Sequence, residues 1–397
     1  MATPQFMPFP DADAERPFSP VEDEPPLRWQ RAVHLAPANG LGVARRAIFF
    51  ALLTWLPIAL WALIRGRSID AATGEPLLQH YGVHVRCLVA IPMFILGEAT
   101  LNRAWLRAFP QFISSGLVDD TARPRFEAAV QTVRRWRHST LPWLFLIGAA
   151  VTWTLVDHME VQGDEMSWAL DRNGTLGFGG VWFAYVVRPI FVALMLGWLW
   201  RIVQLALQIG RLGRLDLSLV PSHPDRAGGL GFLEKLPGAF APVSFGLSAL
   251  LASHWAHLIV HHGQALDAFK IPATVFVVVW SLLLLVPLVA LMPLLHATKR
   301  AALPSYAAMV AEQGRLVRRR WIDGTTKLDS PLLEPAGVGP ICDAAAMYGQ
   351  VRAMRILPIG KASLTMILLP IVVPMLIVVA LKIPLGKLLL GLVKALM

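Results

Sequence analysis

Apolar residues in this chain are gathered into seven long runs that polar segments separate. The runs lie at positions 47–64, 85–104, 140–156, 180–200, 239–259, 271–295 and 363–381. Each is close to the ~20 residues that an α-helix needs to cross a hydrocarbon core of ~30 Å. The pattern therefore predicts an all-α membrane protein built as a bundle of about seven transmembrane helices.

Composition supports a membrane protein and argues against a nucleic-acid-binding one. Of the 397 residues, 55% are hydrophobic and 16% are charged, whereas charged residues make up about a quarter of a soluble protein. The net charge of +10 comes from basic residues that flank the apolar runs, as orientation in a bilayer requires. We therefore expect the lipid bilayer as the partner, with anionic lipids in its inner leaflet, and no nucleic acid.

The basic residues also predict which way the spans run. With the amino terminus inside, the inner segments hold 26 Arg and Lys residues and the outer segments hold seven. This bias predicts a multi-pass protein with its amino terminus inside and its carboxyl terminus outside. Against the rule, Lys382, Lys387 and Lys394 would then lie outside.

The same pattern divides the chain into four parts. Residues 1–44, with eight prolines in the first forty positions, are predicted to be a disordered cytosolic tail. Residues 45–296 form a six-span membrane bundle with a cytosolic amphipathic segment at 101–139. Residues 297–361 are a basic helical insert in the cytosol, and residues 362–397 hold the seventh span and an amphipathic tail.

The sequence between spans two and three predicts an amphipathic helix that has an apolar face and carries several arginines. Phe126, Val130 and Val133 fall on one face. The positive charge comes from Arg125, Arg134, Arg135 and Arg137. We expect this helix, like those of the basic insert, to lie on the inner leaflet and to attract anionic lipid. Recognition of an anionic ligand is the alternative.

Prolines and two intramembrane charges point to a polar path. Every apolar run contains or begins with a proline, and an interior proline bends a helix and frees a carbonyl. Glu98 lies inside span two and Arg188 inside span four, where an unpaired charge is costly. We expect both to face one cavity, as a substrate path or as an interhelical strut. Arg201, at the inner end of span four, is expected to extend to the interface.

Histidines are concentrated on the predicted outer side. At 100° per residue, His254, His257 and His261 fall within a 60° arc of span five. Further candidate side chains arrive from spans two and three, namely His80, His84, Cys87 and His158. We expect at least two helices to contribute to one polar cluster.

Such a cluster suits several kinds of chemistry. Imidazole, thiolate and carboxylate are ligands of zinc, copper and iron. Axial ligation of a haem and proton relay along a helix are two further uses. Plain hydrogen bonding at the interface explains the same pattern. Because the sequence has no CxxC or HExxH motif, the cofactor stays open between a transition metal, a haem and none.

The inner loop before span five reads Pro-Ser-His-Pro-Asp-Arg-Ala-Gly-Gly-Leu-Gly-Phe-Leu. Its candidate residues are His223, Asp225, Gly228, Gly229 and Gly231. The aspartate can cap backbone amides, and the glycines allow close backbone approach. The loop lacks the Lys-Ser/Thr ending of a P-loop, so a structural elbow is favoured over a phosphate cradle. These dozen residues resemble a loop of uncharacterised polytopic inner-membrane proteins of bacteria. The resemblance implies a location in the cell inner membrane and no activity.

Three classes of function remain. A transporter or channel for an ion or small solute explains the bent spans, the intramembrane charges and the lack of a soluble catalytic domain. A metal- or haem-binding membrane redox protein or enzyme explains the outer histidines better. A non-catalytic scaffold or accessory subunit explains the basic inner surface. The sequence favours transport over catalysis and leaves open whether the chain forms a homo-oligomer.

Overall fold

The computed structural model describes residues 19–69, 75–156, 168–170, 175–323 and 339–382. Within these ranges the protein is helical, and its one β-type contact is an isolated bridge between Leu170 and Leu176. Six of its helices are long and apolar enough to cross a membrane. The prediction of a helical, multi-pass membrane protein is confirmed at this level.

The membrane helices are α2 (Val43–Ile64), α3 (Tyr81–Ser114), α6 (Phe178–Leu212), α7 (Gly231–His261), α8 (Leu266–Val289) and α11 (Lys361–Ala380). The other principal helices of the described chain are α1 (Pro25–Ala32), α4 (Arg123–His138), α5 (Leu141–Val156), α9 (Met292–Val317) and α10 (Gly339–Ala353). Helix α5 coincides with the third apolar run. It has 16 residues, which is below the usual length for a crossing.

Two membrane helices contain a wider, π-helical turn. The turns are Arg86–Ala90 in α3 and Phe183–Val187 in α6. Each is followed within two residues by a proline, Pro92 or Pro189. Because proline has no N–H to donate, the helix ahead of it loses a regular hydrogen bond, and a wider turn accommodates that loss.

Contacts fix the relative direction of the first membrane helices. Arg46 at the start of α2 pairs with Glu98 in α3, and Glu98 also pairs with Arg201 late in α6. At the other end of α2, the Trp61 ring lies against Gly177, just ahead of α6. Helices α3 and α6 therefore run parallel to each other and antiparallel to α2.

Helix α7 runs antiparallel to α3. His80 directly precedes α3 and His257 lies near the end of α7, yet their rings stack with centroids 4.9 Å apart. We call this the histidine end of the bundle. The opposite end, which holds Arg46, is the amino-terminal end.

Helices α3, α6 and α7 approach one another closely at Gly97. A Cβ at this position would lie 2.7 Å from the side chains of Trp198 and Val243, so only glycine allows this approach. The indole N–H of Trp198 donates to the carbonyl oxygen of Phe94 at 3.1 Å. This contact fixes α6 against α3 beside Glu98.

The amino-terminal segment is folded where the structure describes it. Disorder was the expectation for residues 1–44, but Val21 and Leu27 are only 1% and 2% exposed. The segment also contains α1. The expectation of disorder is therefore wrong from residue 19 onward, while residues 1–18 lie outside the described chain.

Specific contacts explain why this proline-rich, acidic segment folds. Ser19 Oγ donates to Asn102 Oδ1 of α3 at 2.7 Å. Pro25 stands at the first position of α1, where a missing N–H costs no helical hydrogen bond. The acidic Glu24 is 1% exposed and pairs with Arg201. Its charge is neutralised inside the bundle rather than by water.

Helix α4 buries the apolar face that its sequence predicts. Phe126 and Val133 are 1% and 5% exposed. The Phe126 ring lies 5.3 Å from Phe109 and 6.0 Å from Phe112, between centroids. Protein side chains of α3 therefore cover much of this face.

The basic insert is a helical hairpin that begins earlier than predicted. Helix α8 ends at Val289, and Pro293 in the first turn of α9 begins a new helix within the predicted sixth span. Helices α9 and α10 pack against each other. Residues 324–338 between them, and the predicted amphipathic tail beyond residue 382, lie outside the described residues.

Candidate functional site

One carboxylate and three imidazoles converge at the histidine end. Glu75, in the loop ahead of α3, places Oε2 at 3.2 Å from His257 Nε2 and 3.6 Å from His80 Nε2. Its Oε1 lies 3.7 Å from His262 Nε2. The loop, the start of α3 and the end of α7 therefore meet around one carboxylate.

This cluster is partly closed to solvent. His80 is 4% exposed and His257 is 7% exposed. The ring of His261 lies 5.0 Å from that of His257 and 5.7 Å from Tyr81, between centroids. His262 is the exposed member, so the centre is open to solvent on that side.

Three buried atoms of this cluster have no hydrogen-bond partner among the described residues, namely Glu75 Oε2, His257 Nε2 and His261 Nε2. The first two lie 3.2 Å apart without hydrogen-bond alignment. His257 Nδ1 lies 3.0 Å from the carbonyl oxygen of Gln79, and only a protonated Nδ1 can donate to it. This hydrogen bond engages Nδ1 and turns Nε2 toward the Glu75 carboxylate. An imidazole that binds a metal is commonly held in this way.

The spacing of the polar atoms fits a single ion. One ligand atom from each of Glu75, His257 and His262 lies within 4.8 Å of the other two. Ligand atoms about 2.1 Å from a tetrahedral zinc ion lie roughly 3.4 Å from one another. The two carboxylate–imidazole distances, 3.2 Å from Oε2 to His257 and 3.7 Å from Oε1 to His262, lie near that value, each for a different carboxylate oxygen.

Not every predicted ligand joins the centre. The indole N–H of Trp55 donates to His84 Nδ1 at 2.9 Å, and His84 Nε2 contacts the carbonyl oxygen of Leu77 at 3.0 Å. Both ring nitrogens are used, so His84 is a structural residue. The i, i+4 spacing from His80 predicted a common face, but Trp55 of α2 lies against that turn.

The remaining candidates lie elsewhere. His254 is exposed on α7, one turn before His257. Cys87 is fully buried beside Thr54 of α2. His158 lies outside the described residues. Helical spacing placed the first two on the correct helices, but neither helix keeps one face toward the centre over its whole length.

Sequence reasoning missed two members of the centre, Glu75 and His262. Glu75 lies in a connection rather than in a span, and His262 follows the three-histidine stripe out of register. A usable signal was present, because an acidic residue lies five positions before His80 on the same predicted side of the membrane.

The amino-terminal end holds a second buried polar cluster, which we call the quartet: Glu24, Arg46, Glu98 and Arg201. All four residues are 5% exposed or less. Arg46 Nη1 lies 2.5 Å from Glu98 Oε2, and Arg201 Nη2 lies 2.8 Å from Glu98 Oε1. Arg201 also donates to Glu24 Oε2 from Nη2 at 2.7 Å and from Nε at 3.0 Å. Two positive and two negative charges therefore balance.

The quartet changes the interpretation of the intramembrane charges. Glu98 pairs with Arg46 and Arg201, which favours a strut over a substrate path. Arg188 is half-buried, and its guanidinium lies 5.7 Å from the centroid of the Phe183 ring. Arg201 was expected to extend to the interface, but it is 5% exposed and pairs with Glu24 of the folded amino-terminal segment.

The inner loop is organised around its own aspartate. Asp225 accepts hydrogen bonds from the backbone N–H groups of Ala227, Gly229 and Gly231 at 2.8, 3.1 and 2.8 Å. Burial alone would raise the pKa of Asp225, but these hydrogen bonds outweigh it and hold the pKa below its ordinary value. The N–H groups that would bind a phosphate are thus occupied, which favours the structural elbow.

The rest of the loop supports the same conclusion. His223 Nδ1 lies 2.9 Å from Asp225 Oδ1. Gly228 and Gly229 have φ angles of 67° and 99°, which other residues rarely adopt. The Arg355 guanidinium, ahead of α11, donates to the carbonyl oxygen of Asp225 at 3.0 Å. The loop therefore joins the start of α7 to the start of α11.

Comparisons of the chain with protein-family models, with curated proteins and with solved structures find no match.

Proposed function

We propose that this chain is a multi-pass membrane protein that binds a divalent transition-metal ion at its histidine end. The observation that supports this most strongly is the spacing of Glu75, His257 and His262, whose ligand atoms lie within 4.8 Å of one another. Two imidazoles and a carboxylate are a donor set that suits zinc, and three protein ligands leave a fourth position open. His80 is near enough either to be the fourth ligand or to contact the Glu75 carboxylate.

Of the cofactors suggested by the histidines, a metal ion fits better than a haem. The His80 and His257 rings stack with an interplanar angle of 27° and centroids 4.9 Å apart. A haem with two axial histidines needs the macrocycle between the two imidazoles. Stacked rings leave no room for it.

The topology is part of the proposal. Helices α3 and α6 run in the same direction, so the chain between them must return across the bilayer. Helix α5 is the apolar helix that the described chain offers for this return, which gives seven crossings. The excess of basic residues at the amino-terminal end supports the proposal that this end lies in the cytosol of a bacterium and the metal centre outside. Reporter fusions after Arg318 and Asp164 test this, with cytosolic and external activity expected, respectively.

A second candidate is passage of the ion or a small solute through the bundle. The π-helical turns in α3 and α6 favour it, because such turns leave backbone carbonyls without regular partners. Zinc uptake by proteoliposomes would separate the two functions. Uptake that requires His257 supports transport, whereas zinc binding without uptake leaves a binding protein or accessory subunit.

Metal analysis of the purified protein tests the proposal directly. Protein stripped with a chelator and dialysed against zinc should retain one zinc per chain. His257→Ala should lower the affinity by at least about tenfold, since it removes a direct ligand.

His254→Ala is the matched control, because His254 lies one turn away on α7 and is exposed. It should bind zinc like the unchanged protein. Equal zinc binding by the two variants, or an unchanged protein without stoichiometric zinc, would show that the cluster is not a metal centre.

A further inference from the structure

The quartet lies at the amino-terminal end of the bundle and is independent of the proposed metal centre at the histidine end. Glu24, the fourth member of the quartet, does not come from a membrane helix. It stands at the N-cap position of α1, where an acidic side chain normally accepts hydrogen bonds from its own helix. Here it makes no cap hydrogen bond. Its carboxylate points into the bundle and is held by Arg201 instead.

The membrane helices supply a complete receptor for that carboxylate. Arg201 uses Nε and Nη2 together, at 3.0 and 2.7 Å from Glu24 Oε2. Its guanidinium lies 5.0 Å from the Trp198 ring and 5.6 Å from the Trp143 ring, measured to the centroids. Two indole rings thus hold the guanidinium in position, with its fork toward the carboxylate.

Charge balance requires an anion at this point. Without Glu24, Arg46 and Arg201 would face the single carboxylate of Glu98, and one positive charge would remain uncompensated in a buried site. Such a charge is costly at this depth. Whenever the amino-terminal segment moves away, another carboxylate is the natural replacement.

An apolar cavity adjoins the receptor and indicates the rest of the ligand. Its volume is about 790 Å³. Two of its lining residues contact the quartet. The Trp143 ring lies against the Arg201 guanidinium, and Gln30 accepts a hydrogen bond from Arg46 Nε at 2.5 Å. Other lining residues are the apolar Phe49, Ile147, Ile190 and Leu194.

We propose that the quartet is a binding site for an amphipathic carboxylate of the long-chain fatty-acid class, which Glu24 occupies in this structure. The ligand's carboxylate replaces that of Glu24 on Arg201, and its chain lies in the cavity between α1, α2, α5 and α6. Glu24 is then a competitor carried by the chain itself.

Binding of a fluorescent fatty acid, competed with palmitate, tests this in purified full-length protein. Glu24→Gln keeps the size of the side chain but removes its charge, so it should bind the acid at least about tenfold more tightly than the unchanged protein. Glu22→Gln removes the same charge two residues away and should leave the affinity unchanged. Palmitate methyl ester, which lacks the charge, should not compete.

Equal affinity in Glu24→Gln and Glu22→Gln would overturn the proposal. Competition by the ester as strong as by the acid would also overturn it, because the cavity would then bind an alkyl chain without needing a carboxylate. If Glu24→Gln is unstable, palmitate should restore its melting temperature toward that of the unchanged protein, because it supplies the missing carboxylate. Failure of palmitate to do so also overturns the proposal. Zinc binding is unaffected in every case.

Discussion

The two polar clusters at opposite ends of the bundle differ in how many of their polar groups have a partner within the cluster. In the quartet, two guanidinium groups meet two carboxylates. At the histidine end, one carboxylate faces three imidazoles, and Glu75 Oε2 and His257 Nε2 have no hydrogen-bond partner within the described chain. The first cluster contains its own counter-ions, whereas the second contains polar atoms without hydrogen-bond partners that face a common point.

This difference is the basis for treating the quartet as a strut and the histidine end as the proposed metal site. A buried polar group without a partner is costly, and a bound ion would remove that cost. A balanced cluster stabilises the helices that contribute to it and binds a ligand only when one of its members leaves. Burial and charge alone do not make this distinction, because each cluster contains buried polar side chains.

Breaking the quartet should have the largest effect on stability. Glu98→Ala leaves two buried arginines with one carboxylate, and removing one partner of a buried pair typically costs about 3–5 kcal/mol. Unfolding of the protein in detergent measures it. Glu127→Ala, which removes an exposed i, i+4 partner of Arg123, should cost less than about 0.5 kcal/mol. Similar losses in both variants would mean that the quartet is not a strut.

At the histidine end the effect should depend on metal. Free zinc at 100 times its dissociation constant should raise the free energy of unfolding by about 2.7 kcal/mol. Glu75→Gln should abolish this gain at the same zinc concentration, because it removes the anionic ligand. Asp267→Asn, an exposed change near the same end, should retain it. A gain that survives Glu75→Gln would place the zinc elsewhere.

The inner loop contains a third carboxylate, Asp225, whose hydrogen-bond partners lie in its own loop. Asp225→Ala leaves three backbone N–H groups without an acceptor, and we expect a loss of about 1–3 kcal/mol. Because the pKa of Asp225 is lowered in the fold, its contribution is present at neutral pH and is lost as the pH falls through that lowered pKa. Asp216→Ala, at a side chain that is 92% exposed, is the control. If both variants show the same acid dependence, the loop is not organised by Asp225.

The smallest effect tests whether His84 is a structural residue or part of the proposed metal centre. Trp55→Phe removes one hydrogen bond to His84 and should cost about 0.5–1.5 kcal/mol. Zinc affinity should not change, because both nitrogens of His84 are already engaged. A weaker zinc affinity in this variant would make His84 part of the centre.

Much of the fold could be predicted from the apolar pattern, and part of the site from helical spacing. His257 and His261 were placed on one face of α7, and they lie at the cluster. Glu75 and His262 were missed, since a loop residue has no helical phase from which to infer its direction. The amino-terminal segment was misjudged because its composition resembles that of a disordered chain, although Val21 and Leu27 are buried and Glu24 has a partner on α6.

The sequence by itself determined that this protein crosses a membrane, because the length and apolarity of a helix are local properties that any stretch of about 20 residues reveals. It also determined which histidines share a helix face, because the 3.6-residue period is fixed by the backbone. Only the tertiary structure decided which polar groups meet. The rotation of each helix and the docking of the first folded segment place Glu24 on Arg201 and Glu75 on His257, through contacts between residues that lie far apart in the chain.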